Sequence, residues 1–438
     1  MKFAARGMLA MTGALAVSAC LCLAGDWPHW RGPFYNGSAD EKDLPESWSK
    51  TKNIAWVAPL PGRGPATPVV SGDRVFVSST VRGSKDLQAL CIRCADGKIL
   101  WKKTLGVAGA SMRSTPAAPS PVSDGKRVYF LYATGLLTGL DVKGNVLWSR
   151  DLSKTHGDIT VKFGYGASPL LRDGRLYVPI LRKGGGYGLF ERSDPSLDSF
   201  LLAVDCKTGK TVWKQPRATK ARAESKDSYS SPIPCKAGAV SGVLIAGADN
   251  VTCHDPRTGK ELWRHLYADR RHSLWRLVPS PVMLDGLVCV PVPRGTSLLA
   301  LKPPAPGGKP SMAWTFTGPA PDVSTPLFYK GLLYVLDGSK KKTMTCLDPV
   351  TGKELWRKKL GGWSVYWASP TGADGKVYCI NACGDVVVLA AGRKYSRLAA
   401  FSMDEEDCLS SIAAAGGSLF IRTATTLYCV RKRAKPAP

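Results

Sequence analysis

The chain has 438 residues, 44% hydrophobic and 21% charged, with 45 Gly and 32 Pro scattered along it. Those proportions exclude a disordered or collagen-like chain and suit many short strands joined by turns rather than long helices. Its 60 Lys and Arg against 34 Asp and Glu give a formal charge of +26, which either answers anionic surroundings and partners or is simply a solvated basic surface.

At the N-terminus Lys2 and Arg6 precede the apolar run from Met8 to Val17 and then small residues, the layout of a secretory signal. The run is too short to stay as a permanent span. Cleavage after Ala24 or Gly25 would leave a mature start near Asp26. Alternatively, Val17-Ser18-Ala19-Cys20 has the form of a bacterial lipobox, with Cys20 lipidated as the first mature residue. Removing Lys2 and Arg6 still leaves +24. The chain is expected to be exported, in the periplasm or as a lipoprotein facing it, with membrane contact only through a lipid anchor. Export makes nucleic acid a poor partner despite the charge. The expected division is a signal over 1–24, an N-terminal extension over 26–52, one folded unit over 53–432 and a basic tail over 433–438.

Within the folded unit three segments repeat closely: Ala203-Val-Asp-Cys-Lys-Thr-Gly-Lys-Thr-Val-Trp213, Cys253-His-Asp-Pro-Arg-Thr-Gly-Lys-Glu-Leu-Trp263 and Cys346-Leu-Asp-Pro-Val-Thr-Gly-Lys-Glu-Leu-Trp356. Looser copies end at Trp101 and Trp148, and Trp314 closes a unit whose turn is a divergent Pro-Gly stretch. The Trp spacing of about 40 to 65 residues matches one four-stranded propeller blade with its loops. A second signature precedes each copy: Thr67-Pro68, Ser120-Pro121, Ser168-Pro169, Ser231-Pro232, Ser280-Pro281, Thr325-Pro326 and Ser369-Pro370.

Each unit reads as a meander. The Ser/Thr-Pro run opens the inner strand, where Pro costs no ladder donor. Asp173-Gly174 turns into a second strand, Arg175 to Val178, and Thr208-Gly209 leads into the outer strand that holds Trp213. The motif Asp bonds turn backbone groups, and the Trp buries a large flat surface between blades. An eighth unit begins at Ser410-Ser411 and ends at Val430 with three strands and no Trp. The missing strand is Asn53 to Val57, with Trp56 at the repeated position. The expected fold is all-β: an eight-bladed propeller of four-stranded antiparallel blades, closed by the N-terminal strand near Trp56, which removes exposed edges.

The Asp-x-x-Thr-Gly-Lys-x-x-Trp element resembles the tryptophan-docking motif of the pyrroloquinoline-quinone (PQQ)-like propeller superfamily. That group includes quinoprotein alcohol dehydrogenases and the propeller lipoprotein of the outer-membrane β-barrel assembly machinery. The opening Asp26-Trp-Pro-His-Trp-Arg-Gly-Pro33 resembles a secreted bacterial subfamily. The resemblance spans roughly residues 26 to 432 and bears on fold more than on activity.

A quinoprotein dehydrogenase would require PQQ near the axis, Ca²⁺ held by carboxylate and amide oxygens, a catalytic Asp and two adjacent cysteines. The chain has no Cys-Cys dipeptide, no haem-attachment Cys-x-x-Cys-His and no long insertions. His29, His156, His254, His265 and His272 are dispersed, without zinc spacing. Cys91, Cys253, Cys346 and Cys429 share the position of Ala203, so they read as small core residues. Equivalent sites in successive blades stand too far apart for a disulfide. Cys379 and Cys383 are the best remaining pair. No catalytic, cofactor or metal residues are assigned.

Loops joining outer to inner strands, and second to third strands, share one face, and here they are basic: Lys102, Lys103, Arg113, Arg217, Lys220, Arg222, Arg264, Arg270, Arg271, Arg276, Lys340 to Lys342 and Arg357 to Lys359. Acidic residues there are concentrated at Asp404 to Asp407. Tyr165, Tyr229, Trp275, Tyr366 and Trp367 stand just before inner strands and are expected to ring the channel mouth. With Arg113 and Arg276 such a collar suits sugar rings or anionic groups, although the same aromatics could instead pack between loops. The expected function is a monomeric, non-catalytic binding scaffold for an envelope protein or an anionic glycan or polymer. The alternative is a PQQ-dependent oxidoreductase of alcohols or sugars.

Overall fold

The computed structural model describes residues 25–432 apart from 82, 110–113, 160, 185–196, 238–239, 268–273, 306–307 and 340. The expected signal segment with Cys20, the tail, and Arg113, Arg270 and Arg271 therefore lie outside the described residues. Among the described residues no helix is long and apolar enough to cross a membrane.

Eight antiparallel sheets form the ring. In chain order their inner strands are Val69–Ser71, Val122–Ser123, Leu170–Arg172, Ile233–Ala237, Val282–Met283, Leu327–Tyr329, Thr371–Ala373 and Ala413–Ala415, numbered here as blades 1 to 8. Blade 1 carries an extra short strand, Gly62–Arg63. Blade 8 is completed by Ile54–Pro59, which pairs with Thr426–Val430 and sets Trp56 opposite Cys429. Chain entry and exit thus share one sheet. The middle strands are buried on both faces, as in Tyr334 to Leu336 of blade 6, because each blade is covered by two neighbours. Outer strands such as Thr211–Pro216 alternate with solvent.

The repeated Trp is fixed by three local features. Every outer strand bulges at the residue before the Trp position, for example between Cys253 and His254 of the partner strand, and the bulge turns the ring toward the next blade. The residue opposite the Trp is small: Cys91, Gly139, Ala203, Cys253, Ala300, Cys346 or Cys429. Those cysteines are free and buried; Cys379 and Cys383 are free too, one buried and one exposed, so they form no disulfide. Finally, the indole lies on the turn glycine of the following blade. A Cβ on Gly97, Gly144, Gly209, Gly259 or Gly352 would come within 2.6–2.8 Å of it.

Six indole N–H groups donate to a carbonyl of the next blade at 2.8–3.2 Å, from Trp56, Trp101, Trp148, Trp213, Trp314 and Trp356. Trp263 is the exception: among the described residues its buried Nε1 has no partner, and the blade it faces departs from the Thr-Gly turn sequence after Lys302. Blade 7 has Ala399 at the Trp position. There Trp48 of the N-terminal extension supplies an aromatic, edge-on to Phe401 at 4.8 Å.

The Ser/Thr-Pro signature has an axial role. The backbone N–H of Thr67 donates to Ser120 Oγ, that of Ser120 to Ser168, and so on through Ser231, Ser280, Thr325, Ser369 and Ser411, at 2.8–3.1 Å. This belt runs once around the channel. Ser410 closes it by donating to the Pro65 and Ala66 carbonyls.

Residues 26–52 cross the turn face of the ring and cap the channel. Trp27 pairs with Val70 of blade 1, Pro28 O accepts from Ser123 N of blade 2, and Ala39 N donates to Gly372 O of blade 7. At the centre Arg31, fully buried, donates to the carbonyls of Pro326 (2.8 Å), Asn36 (3.0 Å) and Pro370 (3.1 Å). Gly37 is required beside it, since a Cβ there would stand 2.0 Å from the guanidinium. Burial, with the Arg31 cation adding to it, lowers the neighbouring His29 to about 3, so that imidazole is neutral.

Candidate functional site: the axial funnel

Above the Arg31 cap the axis opens into a funnel of about 830 Å³, a volume ordinary for a small-ligand pocket. Trp30 lines its closed end, the eight belt residues form its wall, and Arg63, Phe163, Tyr229, Arg276, Trp367 and Asp407 stand toward the loop face. Short loops preceding each inner strand position these groups, because the Ser/Thr-Pro belt fixes where every loop must end.

Two neighbouring residues in such a segment point to opposite sides, and that alternation divides the expected aromatic collar. Trp367 faces the funnel and is 44% exposed, whereas Tyr366 is buried between blades and its hydroxyl has no partner. Tyr165 is likewise buried, its hydroxyl donating to Pro179 O at 2.8 Å, while Gly164 and Gly166 take the axial positions. Tyr165 and Tyr366 are therefore corrected from collar to core. Tyr229 does line the funnel; its hydroxyl accepts from Phe163 N at 3.1 Å, and burial pushes its pKa up. Trp275, expected in the collar, is not part of the described lining, although Arg276 after it is; its backbone N–H donates to Ser225 Oγ at 2.7 Å.

The charges are more balanced than the sequence implies. Arg276 meets both carboxylate oxygens of Asp322 at 3.2 Å and lies 3.9 Å from Glu224, which also pairs with Lys162. Arg63 stands 3.6 Å from Asp407, with both side chains about half exposed. Arg217 is not a surface cation. It is buried between blades 3 and 4, donating to Thr252 Oγ1, Gly247 O and Asn250 O, and desolvation lowers it to about 10. Arg264 and Arg357 are engaged by Glu261 and Glu354 on their own strands.

Trp30, Arg63 and Phe163 line the funnel without having been expected there, whereas Asp407 belongs to the acidic stretch at Asp404 to Asp407. The 96% exposed Trp363, outside the described lining, sits in the segment between the strands Glu354–Lys359 and Thr371–Ala373 and was also not foreseen. Trp363 follows Gly361 and Gly362, both at positive φ, and that Gly-Gly pair before an aromatic was the available signal. A second cavity of about 610 Å³ opens beside Trp263 at the outer edge, lined by Arg172 and Arg175 among others. Those two arginines are committed to Gly242 O, Ser241 Oγ and Pro256 O.

Trp-docked blades, a closing strand shared by both ends of the chain, and a capped axial funnel define an eight-bladed propeller of the PQQ-like repeat class. The family profile described as "Outer membrane protein assembly factor BamB" matches residues 39–194, 160–300 and 311–407, and the chain belongs to this family of PQQ-like propellers. No curated protein matches its sequence. Among solved structures it is similar to a europium-containing methanol dehydrogenase, with a TM-score of 0.69 at 12% identity over 92% of this chain and 91% of that one. A quinohemoprotein alcohol dehydrogenase from Comamonas testosteroni gives 0.64 at 13% identity over 95% and 82%. BamB from Moraxella catarrhalis gives 0.60 at 14% identity over 86% and 98%. Identities this low establish the shared fold alone.

Proposed function

We infer that the protein is an exported, non-catalytic binding scaffold that engages an acidic envelope partner at the open end of the funnel. The observation that carries the reading is the composition of that end. Trp367, Phe163 and the nearby Trp363 offer exposed aromatic surface on a ring of rigidly anchored loops, and exposed aromatics beside Arg are the usual anchors of an interface. Arg63 is the most solvent-accessible cation of the described lining, with a side chain 60% exposed.

The oxidoreductase alternative finds less support. Ca²⁺ takes six to eight oxygens, several of them carboxylate. Asp407 is the single carboxylate residue among the described lining, it is paired with Arg63, and neither His nor Cys lines the funnel. No group of three or more His, Cys, Asp or Glu among the described residues is arranged to hold a metal. The residues present do not fit a quinone with its calcium. Purified protein given PQQ and Ca²⁺ is expected to lose all quinone absorbance on desalting and to reduce no dye; retained absorbance with dye reduction would restore the enzyme reading.

For the binding reading, the test is salt elution from an immobilised acidic polysaccharide such as polygalacturonate. Arg63→Glu with Trp363→Ala and Trp367→Ala is expected to elute at clearly lower salt than Lys207→Glu, which makes the same change of net charge on the opposite face. Equal displacement by the two sets would overturn it, since only net charge would then matter.

A further inference from the structure

Within the funnel the belt has a property that its structural role leaves over. Each of the seven hydroxyls from Ser120 to Ser411 accepts its neighbour's backbone N–H. Among the described residues, none of these hydroxyls, nor that of Thr67, donates to a protein acceptor. All eight residues line the cavity. A hydroxyl carries one proton and two lone pairs, and here a lone pair is spent on the belt, which leaves eight O–H donors around one axis. Proline follows seven of them, so no adjacent backbone N–H competes for what they could bind.

A second, independent observation gives the sign of the charge. The guanidinium of Arg31 is wholly buried just beyond the closed end, held by the carbonyls of Pro326 and Pro370, which directly follow two belt residues. Its three acceptors are neutral carbonyls, and among the described residues its Nε has no partner and no carboxylate pairs with it. Burial lowers it to about 9, which still leaves it charged at neutral pH. An uncompensated buried cation in low dielectric favours an anion nearby. Trp30 lies between that cation and the cavity, with the guanidinium carbon 5.5 Å from its ring centre, so the cation acts by field rather than by contact.

We propose that the hydroxyl belt and the Trp30 floor above buried Arg31 form a subsite for a carboxylate-bearing ligand about the size of one sugar ring, held on the propeller axis. The proposal rests on the funnel being the ligand site, and it specifies what reaches the bottom of it. The donors require oxygen acceptors, the cation requires negative charge, and a cavity of about 830 Å³ exceeds a bare ion. Free acid and the acidic end of a longer glycan share this chemistry.

The probes are galacturonate, galactose as its neutral counterpart, and selenate, followed by calorimetry at constant ionic strength and by anomalous diffraction from selenate-soaked crystals. Galacturonate is expected to bind and galactose not, with selenate density inside the belt. Thr67 Oγ1 accepts no backbone N–H, so Thr67→Val removes a donor and leaves the belt intact. That variant is expected to weaken galacturonate about tenfold with an unchanged melting temperature. Ser280→Ala, on the opposite side of the belt, should weaken it similarly. Galactose binding as tightly as galacturonate, selenate found only on surface arginines, or Thr67→Val leaving affinity unchanged would each overturn the proposal. Polygalacturonate retained at the mouth while galacturonate fails would remove the subsite and leave the binding scaffold standing. Galacturonate binding without polymer retention would do the reverse, and galacturonate and polymer both binding would show that the subsite accepts the acidic end of a chain.

Discussion

Gly209 and Gly174 adopt nearly the same backbone conformation, φ +70° and +71°, in very different surroundings. A Cβ on Gly174 meets nothing within 4 Å, whereas one on Gly209 stands 2.6 Å from the Trp148 indole. Gly174→Ala therefore carries only the left-handed backbone penalty, about 1 kcal/mol. Gly209→Ala adds displacement of the ring, about 1–3 kcal/mol for an overpacked contact. It also loses the 2.9 Å bond from Trp148 Nε1 to Cys206 O, about 1 kcal/mol. The expected costs are about 1 kcal/mol for Gly174→Ala and about 3–5 kcal/mol for Gly209→Ala, read as shifts in the urea unfolding midpoint at matched slope. Near-equal midpoints for the two variants would refute the account of blade docking, because backbone strain alone would then explain both.

The tryptophans should separate in the same way. Trp213→Phe removes a hydrogen bond to Pro256 O, but Trp263→Phe removes none, so the first is expected to cost about 1 kcal/mol more; equal costs would show the indole bonds to be incidental. Ser231→Ala leaves the buried Ser168 N–H without its acceptor at 2.8 Å and should destabilise by about 1–3 kcal/mol, with an unaltered midpoint counting against a structural belt. Acid should also weaken the fold. His29 is lowered to about 3 and His254 to about 4, both by burial first, so below the unfolded value of 6.5 the unfolded chain binds protons that the fold refuses. Stability from each is fully present above pH 6.5 and is lost toward its folded value at about 1.4 kcal/mol per pH unit. His29→Phe should flatten the urea midpoint between pH 6.5 and 4, and an unchanged slope would place the acid sensitivity elsewhere.

The ring of blades was legible in the sequence because each blade repeats the same physical problem. A Trp must find a flat glycine turn next door, and the recurrence of Thr-Gly with Trp213, Trp263 and Trp356 states this three times over. The closing strand followed by the same logic, from a unit lacking its Trp and a stray Trp56 upstream. The belt was half legible: the Ser/Thr-Pro repeat was evident, but its bonds join residues 42 to 63 positions apart, and no local pattern announces them. The site was least legible. Which of Tyr366 and Trp367 faces the axis depends on where the inner strand begins, and a shift of one residue exchanges them. Arg217 reads as one more basic loop residue until Thr252 and the Gly247 and Asn250 carbonyls surround it. The N-terminal extension shows no periodicity, so its role as a cap, with Arg31 at the centre, emerges only from carbonyls some 300 residues away.

The open end of the axial funnel is the proposed binding face. Hydrogen–deuterium exchange of the protein with and without bound acidic polysaccharide tests it most directly. Protection is predicted in the loops around Arg63, Phe163, Trp363, Trp367 and Asp407, with the turns at Lys207 and Lys260 unchanged. Protection of those turns, with the funnel loops exchanging as in the free protein, would contradict it.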